Sequence, residues 1–410
     1  MQPPERSALN GRHRWSKRRE DLAQRGADQH HLRASNRLLV LNYVRAQRAM
    51  PRSDLARYTG LSRTTIGTIV DELVQEGIIR EEAQRAGDDR RTTVLSFNAS
   101  AGYVLGCSLG RHHLTMLLTD LSATILHRAD IPFATTQGPA EGLPHLQEAL
   151  HTFVAQQQIA WEQIMGVGLG VVGPLDPSLH MTAVPTTLSG WAGVNIKQGL
   201  EKYLGIPVYL DNNGNMGALG ESRYGAGAGI GEMIYVKVGS GIAGGLILDG
   251  HLYRGSSGSA GEIGHMPVDY DGTLCHCGHF GCLETIAGSR GILTEAQRLF
   301  PSVSSITEVI QSARQGNAAC LHALGRAGKY LGFALASLVN IYNPSVIVLD
   351  GSTMQAGDLV TRHLHATLEA HCLQAPYAST RLVPAACGGM AIALGGVASV
   401  LDDIFSSRYS

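Results

Sequence analysis

The sequence predicts a winged helix-turn-helix followed by a two-lobed α/β domain, and three observations carry that prediction. A helical triplet with a tight turn between its second and third members spans residues 36–77, and two short β-patterned runs follow it. From residue 103 the pattern changes to strand, glycine turn, strand and helix, the alternation of an α/β fold with lobes around a cleft. The charge divides at the same place. Residues 1–98 carry 18 Lys and Arg against 12 Asp and Glu (+6), and residues 99–410 carry 15 against 22 (−7), so a total of −1 conceals a basic front on an acidic body. These features divide the 410 residues into a basic arm (1–33), a winged helix (34–98) and the α/β domain (99–410).

The arm is rich in Arg, His and Gln and has no apolar period, which reads as a disordered extension; the alternative is a mistranslated or cloning-derived segment. Asn36 is placed to cap a first helix whose apolar residues are Leu39, Val40, Tyr43 and Val44. A second helix covers about 53–59 and stops at Gly60. Ser62 caps a third, with Ile66, Ile69, Val70 and Leu73 spaced i, i+3, i+4, i+7, and Gly77 ends it. The runs 78–82 and 92–97 form a hairpin around residues 85–91. With the apolar stripe of the third helix turned inward, Arg63, Thr64, Thr65 and Thr68 point outward near its N-terminus and suit base edges and phosphates in a major groove. Arg90 and Arg91 at the wing tip suit a minor groove. A solvated three-helix bundle with ordinary surface arginines is the competing reading, and the helix spacing together with the basic wing favours DNA.

In the α/β domain, runs at 103–108, 114–120 and 124–128 read as a meander, and 141–158 as a helix. Buried strands follow at 166–174 and 208–211, the second leading through Asn212-Asn213-Gly214-Asn215 into a small-residue helix that ends near Tyr224. Residues 233–238 and 244–248 make a second sheet around Gly239-Ser240-Gly241; a long helix covers about 318–340, and 346–349 is the last clear buried strand. No internal repeat is visible.

Composition narrows the function classes. Hydrophobic residues are 44% and charged residues 16%, a globular balance. No apolar run approaches the roughly 18 residues of a membrane span, and the basic residues 12–19 are not followed by the apolar stretch of a secretory leader. A cytoplasmic protein is expected. Fifty glycines in short motifs among β-branched runs mark tight turns and close backbone approach to ligands. Seven cysteines, three of them crowded at Cys275, Cys277 and Cys282, fit one metal site better than a disulfide framework.

Three motifs carry chemistry. His265 with Cys275-His276-Cys277-Gly278-His279-Phe280-Gly281-Cys282 fits a tetrahedral Cys₃His zinc site with no open position, hence a structural one. On spacing alone His276 and His279 compete with His265, and chance buried thiols are the bland alternative. The turn Val238-Gly239-Ser240-Gly241-Ile242-Ala243-Gly244-Gly245 is placed either to present N–H groups to a phosphate or simply to join two buried strands. Asn212, Asn213, Glu262, His265 and Glu284 stand at strand ends, and such amides and carboxylates suit sugar hydroxyls, which need donors and acceptors.

Glu262-Ile263-Gly264-His265 followed by Cys275-x-Cys277-Gly278-x-x-Gly281-Cys282-x-Glu284 resembles the paired signature of the ROK family (repressors, open reading frames, kinases), over about residues 36–400. With its winged helix the chain is similar to the family's sugar-responsive repressors of the xylose and N-acetylglucosamine types. The resemblance implies an actin-like, ribonuclease-H-like two-lobed fold, and zinc on His265, Cys275, Cys277 and Cys282 within a loop at 265–284. It also implies a sugar contacted by Asn212, Glu262, His265 and Glu284, with His265 facing both zinc and sugar. Two departures separate the chain from the family's kinases. Where those carry Asp-x-Gly-Gly-Thr-Lys to grip ATP, this chain has Ser108-Leu109-Gly110-Arg111-His112-His113. Where they carry Asn-Asp, it has Asn212-Asn213, and a neutral amide is no general base. Asp211 is a poor substitute, being two positions away.

The expectation is therefore a non-enzymatic regulator. It represses sugar transport or catabolism genes, binds an operator as a homodimer or dimer of dimers, and responds to a sugar or sugar phosphate. The alternatives are an ATP-dependent sugar kinase with an appended DNA-binding domain, and an interaction module sequestered by a sugar-transport protein.

Overall fold

The computed structural model describes residues 32–406 apart from 48, 87–89, 111, 134–137, 174, 177–180, 183–190 and 192; the side chains of 84–86, 90–92, 176, 181 and 182 also lie outside the description. The arm at 1–31 falls outside it, as do the side chains of Arg90 and Arg91. The chain folds as two units. One holds the residues up to Ala101 together with those from Leu401 onward; the other is Gly102–Val400.

In the first unit, helix α1 (residues 32–46) is followed by β1 (Met50–Pro51), α2 (Arg52–Thr59), α3 (Arg63–Gln75), β2 (Ile79–Ala86) and β3 (Arg90–Phe97). Asn36 does not cap α1: residues 32–35 before it are already helical, so Asn36 lies within the helix. Gly60 closes α2 in the left-handed region (φ 71°), donating to the Ala56 carbonyl. Ser62 caps α3 as its sequence position demands, its Oγ accepting from the Thr65 N–H at 3.1 Å. The stripe Ile66, Ile69, Val70 and Leu73 is buried with Val40, Val44, Leu55 and Leu95, so the opposite face of α3 is left to solvent. The sheet order is β1-β3-β2, and the wing strands pair from Ile79↔Phe97 to Ala86↔Arg90. They are longer than the hydrophobic pattern indicates because residues 83–86 and 90–91 pair through the backbone, which needs no apolar face.

The sequence division ran the second domain to residue 410. The end of the chain instead belongs to the first unit: the Phe405 ring stands 5.8 Å edge-on from Phe97, Arg45 lies 4.0 Å over it, and Asn42 Nδ2 donates to its carbonyl at 3.1 Å. Cover on two sides of its ring holds Phe405 where charge and composition gave no signal.

The second unit begins with β4 (Tyr103–Leu109), β5 (His113–Asp120), β6 (Ile125–Pro132), α4 (Pro139–Gln156), β7 (Ile164–Val171), the short pair β8 (Leu175–Asp176) and β9 (Met181–Thr182), α5 (Ile196–Leu204), β10 (Val208–Asn212) and α6 (Asn213–Tyr224). It continues with β11 (Met233–Val238), β12 (Ile242–Leu248), β13 (His251–Tyr253), α7 (Glu284–Ala287), α8 (Ser289–Gln297), α9 (Ile306–Arg314), α10 (Ala318–Tyr342), β14 (Val346–Asp350), α11 (Asp358–His371), α12 (Gln374–Ser379), β15 (Arg381–Pro384) and α13 (Ala391–Ile404), whose last turn lies in the first unit.

Two five-stranded sheets result, ordered β10-β7-β4-β5-β6 and β13-β12-β11-β14-β15. Each is an antiparallel three-strand meander whose first strand is extended by two parallel strands. The topology is thus duplicated although the sequence shows no repeat: strand order is set by connections and burial, which unrelated residues satisfy equally. Each sheet has its own core. The first gathers Leu105, Leu118, Val167 and the fully buried Trp191; the second packs Ile234, Val236 and Ile347 against α10. Helix α6 lies on β12 so closely that a Cβ on Gly214 would collide with the Gly244 backbone, which explains the glycine density there.

Candidate functional site

A cleft of about 300 Å³ in the second unit is lined by turns and strand ends from both sheets, a size at the lower bound for small-molecule sites. The five polar residues nominated from the sequence, Asn212, Asn213, Glu262, His265 and Glu284, all line it. Their placement follows from the local fold. Strand β10 ends at Asn212, whose Oδ1 caps α6 by accepting from the Asn215 N–H at 2.8 Å. That oxygen is therefore committed, leaving only its amide N–H group for a ligand. Asn213 begins α6; it is 9% exposed, and its Oδ1 has no partner among the described residues. A buried acceptor without a donor carries an unmet hydrogen bond. Asp211 is tied down. Oδ1 accepts from the Asn212 N–H and from Asn215 Nδ2, both at 2.8 Å, and Oδ2 from Arg254 Nε at 2.9 Å.

Glu262 precedes a single 3-10 turn (Ile263–His265), and Glu284 opens α7. Burial, reinforced by the Glu284 charge, pushes the Glu262 carboxyl up to about 7. Glu284 Oε1 lies 2.7 Å from His276 Nδ1 and accepts from the Cys275 thiol at 3.1 Å. His265 faces two ways, with Nδ1 3.7 Å from Cys275 Sγ and Nε2 3.9 Å from Glu262 Oε2. Burial holds its ring below the ordinary histidine value, so it stands as a neutral donor–acceptor between thiols and cleft.

Behind the cleft, His265, Cys275, Cys277 and Cys282 bring four ligand atoms within 4.8 Å of one another, a group that could hold a metal ion. Cys277 and Cys282 Sγ are 3.6 Å apart. Gly281 makes this possible: it adopts φ 68° beneath the Asp269 backbone, where no side chain fits. Burial pushes the Cys282 thiol up to about 11 and raises Cys275 as well, so both keep their protons unless a cation displaces them. Of the spacing rivals, His276 is engaged with Glu284, and His279 Nδ1 stands 3.6 Å from Cys277 Sγ but outside the four-atom group. A second group, His265, His276 and Glu284, shares the same histidine and belongs to the cleft. By contrast Cys107 and Cys320 are isolated in the two cores.

In the first unit Arg63, Thr64 and Thr68 are exposed at the N-terminal end of α3, and Thr65 is half-buried. Thr65 shares a hydrogen bond with Ser62 Oγ, and Thr68 Oγ1 donates to the Thr64 carbonyl. Arg33, Arg37 and Arg52 are spent on ion pairs with Glu72, Glu76, Asp71 and Glu81. Arg63 has no such pair among the described residues.

Sequence reasoning missed Lys237 and Ser352, which also line the cleft, as do Ser240 of the glycine turn and His113, named from the sequence only as a departure from the kinase motif. Lys237 had a readable signal, a charge inside the apolar strand Met233–Val238. His113 and Ser352 had none, since only the duplicated sheets bring their turns to the cleft.

Matched sheets closing on a polar cleft, with a winged helix-turn-helix at the N-terminal side of the chain, define a class: an actin-like two-lobed domain with a DNA-binding head. Residues 104–403 match the profile described as the ROK family, and residues 33–80 that described as winged helix-turn-helix DNA-binding. The chain belongs to the ROK family. It is 30% identical over 377 residues to the xylose repressor of Bacillus subtilis, covering 92% of this chain and 97% of that one. It is 26% identical to the N-acetylglucosamine repressor of Escherichia coli O6:H1, covering 79% and 82%. Among solved structures, a ROK family transcriptional regulator described as a homolog of the E. coli MLC protein superposes with TM-score 0.78 at 22% identity over 92% of this chain and 98% of that one, a likeness of fold. The ROK hexokinase from Thermus thermophilus gives TM-score 0.64 at 28% identity, covering 74% and 99%.

Proposed function

We propose that the protein is a transcriptional repressor of sugar transport or catabolism genes. On this reading the winged helix binds operator DNA, and a sugar or sugar phosphate in the cleft controls it. The observation that carries the proposal is the cleft itself: the five sequence-nominated polar residues line one cavity, and the residue at the kinases' acid position is Asn213, with an unpartnered amide oxygen. An amide there can accept a hydrogen bond from a hydroxyl but cannot remove its proton, so the arrangement supports recognition without phosphoryl transfer. Asp211 offers no replacement, both its oxygens being engaged.

Zinc fits the thiol group. Tetrahedral Zn–S bonds of about 2.3 Å and a Zn–N bond of about 2.0–2.1 Å separate ligand atoms by about 3.8 Å (S–S) and about 3.6 Å (S–N). The 3.6 Å between Cys277 and Cys282 and the 3.7 Å between Cys275 and His265 agree with those edges. Four protein ligands leave no open position, so the ion would hold the 265–284 loop in shape, and through His265 it would orient one wall of the cleft. On the DNA side Arg63, without an ion pair among the described residues, stands on the recognition helix, with Thr64, Thr65 and Thr68 beside it and Arg90 and Arg91 on the wing. A homodimer would match a pseudo-palindromic operator, and sugar binding would shift the spacing of its two heads. A protein with this role acts in the cytoplasm, where its operator is.

The test is an operator-binding titration with the DNA upstream of its own and adjacent genes, repeated with a panel of sugars. Salt-sensitive binding that one sugar weakens or strengthens supports the reading; absence of binding overturns it. Sugar-dependent ATP turnover above background, lost in Asn212→Ala, would favour a kinase instead.

A further inference from the structure

Most of the described positive charge of the first unit is spent inside its own fold. Arg33, Arg37, Arg52 and Arg57 sit in ion pairs with Glu72, Glu76, Asp71, Glu81 and Asp54. Arg45 lies over the Phe405 ring. Among the described side chains of this unit, Arg63 and Arg80 are the cations left outside any ion pair. Residues 34–98 as a whole carry 10 Lys and Arg against 8 Asp and Glu (+2). That is a thin positive surface for a module that holds a polyanion, because such affinity comes largely from neutralising phosphates.

The missing charge stands ahead of the helices. Residues 12–19 read Arg-His-Arg-Trp-Ser-Lys-Arg-Arg, five permanent cations and no acid in eight residues. The place where this segment joins the fold decides what it can meet. Leu32, at the start of α1, lines a groove of about 360 Å³ together with Asn36, Thr64, Thr65 and Thr68. The chain before Leu32 therefore enters beside the threonines nominated for DNA, on the side of α3 away from Ile66 and Val70. Thirteen residue steps separate Arg19 from Leu32, a reach of at most about 45 Å. One turn of duplex is about 34–36 Å, so the cluster can meet phosphates up to a turn beyond the bases under α3. Glu20, Asp21 and Asp28 all fall in the connecting stretch, which leaves the far end purely cationic.

We propose that residues 12–19 are a second DNA contact, a basic arm laid on the phosphates that flank the operator half-site while α3 occupies the major groove. The proposal rests on the DNA-binding reading above and adds the element that supplies most of its electrostatic affinity. Backbone contacts position a protein without reading bases, so specificity stays with Arg63 and the threonines of α3.

Full-length protein is compared by anisotropy with two variants: a deletion of residues 2–31, and the combined Arg12→Ala, Arg14→Ala, Lys17→Ala, Arg18→Ala and Arg19→Ala. The probe is the upstream duplex, cut to its half-sites or extended by about 10 bp at each end. Both variants should lose at least about 30-fold in affinity near 0.1 M salt, and their salt slope should fall by about 4 per chain, at about 0.9 for each cation removed. Full-length protein should gain affinity from the added flanks, and the variants should not. The preference for operator over unrelated duplex, the Tm and the fold-change caused by a sugar should be retained. Lysine in place of Arg12, Arg14, Arg18 and Arg19 should keep the affinity and the slope. Unchanged affinity and slope in both variants overturn the proposal and leave the DNA-binding reading standing. Tighter binding by the variants overturns it in favour of an arm that shields α3. Weaker binding with an unchanged salt slope overturns it in favour of a structural role. A full-length protein that binds no duplex sinks both readings.

Discussion

The two sheets of the second unit share one topology and differ in what their first hairpins offer the cleft. In the second sheet the β11–β12 turn keeps Gly239-Ser240-Gly241, closed by a Gly239 N–H to Gly241 carbonyl bond of 2.9 Å. In the first sheet the equivalent β4–β5 turn carries Gly110-Arg111-His112-His113, and the His113 ring covers the Gly110 backbone. The same fold thus presents backbone donors on one side and a side-chain wall on the other. Identical strand orders can be loaded with unequal chemistry, because function resides in the turns that the sheets hold in place. The nominated sugar-contacting acids and the thiol group come from the second sheet's side; the first contributes Asn212 at the end of β10, Asn213 at the start of α6, and His113.

Several substitutions would break or sharpen that asymmetry. The largest effect is expected in the thiol loop. Cys277→Ser should eliminate bound metal and lower the Tm by roughly 5–10 °C, whereas Cys320→Ala, deep in a core, should cost about 1 kcal/mol with metal content unchanged. Elemental analysis beside differential scanning calorimetry distinguishes the two. Next is Glu284→Gln, which should weaken effector binding by about 10–100-fold, because a carboxylate acceptor is lost from an enclosed site; calorimetric titration reads it. Outside the cleft, Arg63→Ala should reduce operator affinity about tenfold and the salt slope by about one, with effector affinity untouched.

A smaller effect follows from Glu262, whose carboxyl is raised to about 7 by burial and by Glu284. A ligand hydroxyl that donates to the carboxylate binds the ionised form, so affinity should fall about threefold from pH 7.5 to 6.5. Glu262→Gln should flatten that profile. The same shift means that the empty protein holds a proton its unfolded chain has lost, so this group subtracts stability as pH rises from about 4.5 to about 7. The smallest expected effect is none: Asn213→Asp should not create ATP turnover, because the first sheet's turn still lacks a phosphate grip. A coupled assay for ADP checks it.

What the sequence disclosed was local. Ser62, the stripe of α3, and the loop from His265 to Glu284 could be read directly, since caps, helical period and ligand spacing are short-range signals. Asn212, Asn213, Glu262, His265 and Glu284 could be named, but their convergence could not be established from spacing. Of the five only Asn212 ends a strand; Asn213 opens α6, Glu262 precedes and His265 ends a 3-10 turn, and Glu284 opens α7. Asn212 shows the limit: its type suits a sugar, while its Oδ1 is already committed to capping α6. Lys237 is legible as an anomaly, a charge in an apolar strand, but its place in the cleft is not. The duplicated topology left no sequence trace, and Phe405 joins the first unit through contacts separated by more than 300 residues.

The central claim is that the cleft controls a DNA-binding head. Fluorescence anisotropy of labelled upstream DNA, recorded across roughly 50–200 mM salt with and without the sugar set, addresses it most directly. The account predicts tight binding, of the order of 10⁻⁸ M or better, that weakens steeply with salt and changes at least about tenfold with one sugar. Binding that ignores every sugar, or no salt-sensitive binding at all, would contradict it.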